Sequence, residues 1–166
     1  MTEMINEKLI LRMTEFDKGD SKRIQHFVKV YAYAHIIGVL EGLDDETRKI
    51  LEVAAILHDI GIHPGEEKYG RCDGKIQEQE GPGYARKMLR DFPEISVEER
   101  DRICFLIGHH HTYTGVDGAD YQILLESDFL VNAYEDALDI ASIRNFRDRV
   151  FRTETGIKLI NSIYGL

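Results

Sequence analysis

Apolar residues recur every three or four positions along most of this chain and alternate strictly almost nowhere, so the pattern predicts helices rather than strands. Ile5, Leu9 and Met13 mark an amphipathic helix from Met4 to Phe16, broken at Gly19. Asp20 or Ser21 caps a second helix from about Lys22 to Glu41, stopped by Gly42. Its apolar residues, Phe27, Val30, Tyr31, Ala34 and Ile37 among them, surround most of the circumference. That predicts a central, largely buried helix, with His35 a packed core histidine on it.

Asp44 or Asp45 caps a third helix, which carries Ile50, Leu51 and the run from Val53 to Leu57 and ends near Gly61. The Gly- and charge-rich stretch from Ile62 to Lys75 reads as irregular. A fourth helix is predicted over Gln77 to Arg90, with Pro82 near its first turns. A fifth spans about Val97 to His110 after a cap at Ser96, with Glu99 placed for a capping box. A Gly-rich loop from Thr112 to Gly118 precedes a sixth helix over Tyr121 to Tyr134, and one or two short helices close the chain. No repeat or Pro/Ser-rich linker interrupts this pattern. The expectation is one all-α domain over residues 1–166, a bundle of six to seven helices. Its motif-bearing core covers about 20–131, and the C-terminal helices of 135–166 pack on it.

A chain of 166 residues is long enough to bury one sizeable core. Its longest charge-free run, Val30 to Leu40, is about half of what a bilayer requires, so no membrane span is expected. The N-terminus has no basic start or small-residue cleavage site, and Cys72 and Cys104 are too few for a disulfide framework. A cytoplasmic location follows as an expectation. The formal net charge of −9 counts against nucleic-acid polymers as partners, but not against a small anion that needs one local cation or metal.

Five of the seven histidines lie between His58 and His111. His58-Asp59 directly follows a near-continuous apolar helix, where an unpaired carboxylate costs several kcal/mol. No Lys or Arg lies on that helix face. A divalent metal held by both side chains satisfies them; the alternative is a helix end with Asp59 solvated. His26 shares an inward stripe with Val30, Tyr33 and Ile37, and Asp128 lies between Ile123-Leu124-Leu125 and Phe129-Leu130-Val131. Two imidazoles and two carboxylates make a mixed nitrogen–oxygen site suited to Mn, Fe, Co, Ni, Zn or Mg.

The order His26, then His58-Asp59, then Asp128 resembles the HD-domain superfamily of metal-dependent phosphohydrolases, all-helical proteins named for the doublet. Arg23-Ile-Gln-His26, Leu57-His58-Asp59-Ile60-Gly61, Ser127-Asp128-Phe129-Leu130 and the Gly81, Ala85, Leu89 spacing carry the likeness. It covers about Asp20 to Val131. The resemblance implies that His26, His58, Asp59 and Asp128 are the metal ligands. One departure stands out: HD proteins with two metals usually carry a histidine where this chain has Gln77, which favours a single divalent ion. The run His109-His110-His111 sits where such proteins place further ligands. His110 shares a stripe with Ile103, Leu106 and Ile107 and is expected to point inward, near a phosphate or a weak second ion. The other reading is a polar helix end with His109 and His111 solvated.

The activity so implied is hydrolysis of a small phosphorylated molecule, a nucleotide or related phosphomonoester, by metal-activated water. Asp59 and Glu80 are the catalytic candidates, Glu80 as proton shuttle unless it is simply a solvated residue of the Gln-Glu-Gln-Glu stretch. Arg23, three residues before His26, is placed to grip a phosphate. Lys75, with Arg71 and His63, lies in the stretch after the doublet and could rim the substrate together with His109 and His110. Two other readings stay open: a non-catalytic nucleotide-sensing module with a structural metal, and a di-iron oxygenase, against which Gln77 argues. The oligomeric state, a homodimer included, is left open by the sequence.

Overall fold

The computed structural model describes residues 4–166, and nine helices form among these described residues. They are α1 (Ile5–Phe16), α2 (Ser21–Leu40), α3 (Asp45–Leu57), α4 (Ile62–Tyr69), α5 (Gly74–Leu89), α6 (Val97–Ile107), α7 (Ala119–Glu135), α8 (Ile140–Val150) and α9 (Glu154–Tyr164). No strand occurs among the described residues, so the all-α class stands, with more helices than the six or seven expected. Short polar side chains start most of them by accepting an otherwise orphaned backbone N–H. Asp20 accepts from Arg23, Asp44 from Thr47, Asp73 from Ile76 and Thr153 from Gly156. At α6, Ser96 and Glu99 form the reciprocal capping box that their spacing predicts.

Two of the expected element boundaries need correction. The stretch read as irregular contains α4, in which Pro64 sits in the first turn, where a missing N–H costs nothing. Gly70, at φ 70°, ends it in the left-handed region that favours glycine. In the same way α5 begins at Gly74 rather than Gln77, because Asp73 caps it, and Pro82 falls in its interior instead of its first turns.

α3 is the axis of the bundle. Leu51 and the run from Val53 to Leu57 are fully buried, each large aliphatic side chain contributing about 1.5–3 kcal/mol of burial. α1, α2, α6 and α7 all pack on it. α7 is also buried over most of its length, from Ile123 to Val131. The last turns of α2 behave differently: Ile36, Val39 and Leu40 are exposed. His35 is not a packed core residue; its side chain is 50% exposed and reaches the buried Glu52 through Nδ1 at 2.6 Å. Near the C-terminus the fully buried Glu126 carboxylate accepts from Gln122 Nε2, from the Arg152 N–H and from the Thr153 hydroxyl, tying α7 to the start of α9. No helix among the described residues is long and apolar enough to cross a membrane.

Candidate metal centre

Beyond Leu57 the backbone of His58 keeps helical angles, and a further turn closes through Ile60 N–H to the Leu57 carbonyl and Ile62 N–H to the Asp59 carbonyl, both at 3.0 Å. Gly61 follows, packed so tightly on α5 that a Cβ there would meet the Gly81 backbone nitrogen at 2.8 Å. A Cβ on Gly81 would in turn meet Ile107 at 2.8 Å. Glycine at both positions lets α5 and the end of α6 close against the His58-Asp59 turn, bringing Gln77, His110 and His111 beside it.

Side chains from three helices converge there. His26 Nε2 on α2 lies 3.1 Å from His58 Nε2, 3.1 Å from Asp59 Oδ2 and 3.1 Å from Asp128 Oδ1 on α7. His58 Nε2 lies 3.2 Å from Asp128 Oδ1 and 3.5 Å from Asp59 Oδ2. Both imidazoles are fully buried or nearly so. Donors bound at ~2.1 Å to one ion stand about 3.0 Å apart across an octahedral edge and about 3.4 Å across a tetrahedral one. Four of the five separations fall inside that range, and the fifth, at 3.5 Å, lies just beyond it.

Asp128 Oδ1 tests whether the residues fit a cation. It is buried and makes no hydrogen bond, although two imidazole nitrogens lie within 3.2 Å of it. The contacts have the distance but not the direction of hydrogen bonds, as expected when lone pairs face a common point. The nitrogens on the far side of the rings are spoken for. His58 Nδ1 donates to the Ala55 carbonyl at 2.7 Å, and His26 Nδ1 faces both oxygens of Glu135 at 3.2 and 3.3 Å. With Nδ1 as donor, each Nε2 keeps its lone pair for a metal.

The electrostatics also call for a cation. Burial disfavours a charged ring at His26, but Asp128 and Asp59 prevail and push its pKa up to about 10. Burial likewise opposes ionisation of Asp59, yet His58, His110 and His26 hold its carboxyl well below the ordinary range. Asp128 is held low against burial by His58 and His26. Two acids kept ionised in a buried pocket, together favouring a proton on a neighbouring ring, make a site that stabilises positive charge.

A second group adjoins the first. Asp59 turns its other oxygen, Oδ1, toward His110 Nε2 at 3.4 Å, and Asp59, His110 and His111 have donor atoms close enough to share an ion. Gln77 Oε1 sits against both rings, 2.7 Å from His111 Nε2 and 3.2 Å from His110 Nε2. Burial, followed by the neighbouring His110, pushes His111 down to about 4. His110 is fully buried, with Nδ1 donating to the Ile107 carbonyl at 2.7 Å.

The remaining sequence candidates divide. Arg23 lies at the site, with Nη1 3.4 Å from Asp59 Oδ2. Glu80 does not: its carboxylate is engaged by the Tyr69 hydroxyl at 2.7 Å and Lys68 Nζ at 3.0 Å, which hold it below the ordinary range and outside the cleft. Lys75 is exposed on α5 and does not line the cleft. His109 is also turned away, stacked on Phe105 with Nδ1 donating to the Phe105 carbonyl. The sequence reading missed Asn132 and Glu135, four and seven residues after Asp128; that helical spacing on α7 was the available signal. With Arg23 and Asp136 they surround a cleft of about 170 Å³ over the metal centre. A larger hollow of about 430 Å³, lined by Tyr113, Arg149 and Arg152, contains none of the clustered donors.

The chain has 27% identity to a structurally characterised protein from an uncultured Thermotogales bacterium, described as a predicted HD superfamily hydrolase. The two superimpose with a TM-score of 0.67 over 98% of this chain and 86% of that one. No curated protein matches the sequence. The HD domain profile matches residues 23–141, a span that contains His26, His58, Asp59 and Asp128, and with so much of the sequence covered the chain belongs to the HD-domain family.

Proposed function

We propose that this chain is a metal-dependent phosphohydrolase acting on a small phosphorylated molecule, a nucleotide or related phosphomonoester. The observation that carries the reading is Asp128 Oδ1, a buried and unbonded acid oxygen 3.1 and 3.2 Å from two imidazole nitrogens. His26, His58, Asp59 and Asp128 would hold one divalent ion, of Mn, Fe, Co, Ni, Zn or Mg type, which suits their mixed donors. When bound, such an ion supplies water activation and neutralises charge on a phosphoryl oxygen.

The chain's own residues do the rest. Arg23, pinned at one end by Asp59, offers its remaining N–H donors to phosphoryl oxygens. His110, buried on the other side of Asp59 with Nε2 3.4 Å from Oδ1, is placed for a second phosphoryl contact; burial disfavours a charged ring there, but Asp59 raises its pKa. Asn132, whose side-chain amide bonds to none of the described residues, lines the cleft and offers a donor and an acceptor to a bound molecule. Asp59 contacts both groups through separate oxygens and is the acid on which the arrangement turns.

A cleft of about 170 Å³ with Glu135 and Asp136 on its rim, in a chain of net charge −9, favours one phosphoryl group on a small molecule over a nucleic-acid polymer. A cytoplasmic setting accords with two unpaired cysteines. The test is phosphate release from nucleoside monophosphates and a chromogenic phosphoester with each of Mn, Co, Ni, Zn and Mg added. Metal-dependent turnover is expected. A metal-loaded protein that releases no phosphate from any of them would overturn the enzymatic reading in favour of a sensing module.

A further inference from the structure

Three imidazoles face the centre, and each anchors its Nδ1 differently. His58 and His110 lie at or beyond the ends of helices and donate to carbonyls three residues earlier, Ala55 and Ile107. His26 lies inside α2, where neighbouring carbonyls are already committed to the helix, so its Nδ1 needs a side-chain acceptor. The Glu135 carboxylate provides it, with both oxygens at 3.2 and 3.3 Å.

The geometry points to Glu135 as the residue that positions His26 as a metal ligand, an inference that rests on the metal reading above. Glu135 lies seven residues after Asp128 on α7, so one helix face meets both nitrogens of the same ring. Its side chain is only 9% exposed and is tethered by Lys29 Nζ at 3.2 Å, itself three residues after His26 on α2. A rim carboxylate with no role at the centre would extend to water or pair with Lys29 alone. This one lies along the edge of a buried imidazole. It keeps the Nδ1 proton in place, reserves Nε2 for the ion, and makes the ring a more basic ligand, as carboxylate–histidine–metal arrangements do.

The experiment titrates Co(II) into the metal-free full chain and into E135Q and E135A, reading the dissociation constant by competition and the visible spectrum of the bound ion. Removing such a partner weakens metal binding by about 10–100-fold, so that range is expected for E135A. E135Q, whose amide oxygen still accepts from Nδ1 but carries no charge, should lie between E135A and the parent. Circular dichroism reports whether each variant folds; if E135A does not, the isosteric E135Q decides. The variants should also shift the visible bands, which a residue serving stability alone would leave unmoved. A folded E135Q that matches the parent in affinity and spectrum overturns the role of Glu135 and leaves the metal centre intact. A parent chain that takes up no Co(II) overturns both.

Discussion

His26 and His58 bring their Nε2 atoms to 3.1 Å although 32 residues separate them in sequence. Two imidazole lone pairs at that distance repel unless a cation or a proton lies near them, so the folded state is stabilised by whatever cation it binds. An ion at about 100 times its dissociation constant adds ~2.7 kcal/mol to stability. For a chain of this size that raises Tm by about 5–10 °C. Thermal unfolding with and without a chelator checks it, and superimposable curves would argue against a metal at this place.

Asp59 touches both imidazoles of the first group through Oδ2 and His110 through Oδ1. Asp59→Ala should therefore lose bound metal and turnover together. The change shortens a side chain beyond the end of α3 and leaves the apolar helix faces alone, so the far-ultraviolet circular dichroism should keep its helical form. Elemental analysis of the purified variant is the decisive reading; full metal content with parental turnover would remove Asp59 from the centre.

The four clustered side chains were legible because each lies in or directly after an apolar helical stretch that could not bury it alone: His26 among Phe27 and Val30, Asp128 among Leu125 and Phe129. Apart from Arg23, candidates outside such stretches were not. α4 was hidden by Pro64 and its glycines, and with it went the Lys68 and Tyr69 partners that engage Glu80. His35 could have been placed correctly: nine positions at about 100° each put it on the opposite face of α2 from His26. Glu135 was missed because a glutamate at the end of a helix looks solvated until the helix across from it is known to present a buried ring.

Gln77 accepts from both His110 and His111 and so occupies the position from which a third imidazole would join Asp59 Oδ1 in the second group. An amide oxygen is a poorer donor than imidazole for transition metals. Gln77→His should raise the metal content from about one ion per chain toward two when the protein is loaded with Zn or Mn. Plasma emission spectrometry after gel filtration measures the ratio; an unchanged ratio would mean that the second group does not bind an ion even with the added ligand.

Glu52 holds a separate polar network. Its buried carboxylate takes Asn6 Nδ2 at 2.7 Å and His35 Nδ1 at 2.6 Å, linking α1 and α2 to α3. Glu52→Ala leaves those partners unmatched and should cost about 1–3 kcal/mol. His35→Gln, at a half-exposed side chain, should cost less than about 1 kcal/mol. Urea unfolding measures both, and turnover per folded molecule should equal the parent in each case. A Glu52→Ala chain as stable as the parent would show that the network contributes nothing.

Asp17 gives the clearest pH dependence away from the metal ligands. Its side chain is 5% exposed, and burial pushes its carboxyl up to about 6, against the opposing charge of His63 and with a smaller push from Asp20. A raised acid pKa means that the folded chain binds a proton which the unfolded chain, titrating near 3.8, has already released. Stability from this group is therefore greatest in acid and falls as pH rises through about 6. Between pH 5 and 7.5 the loss is about 1 kcal/mol. Asp17→Asn removes the titrating group, so the variant should gain on the parent by about that much at pH 7.5 compared with pH 5. Urea unfolding of both chains at the two pH values tests the sign. A variant whose advantage is the same at both would mean that Asp17 remains ionised in the folded protein across this range.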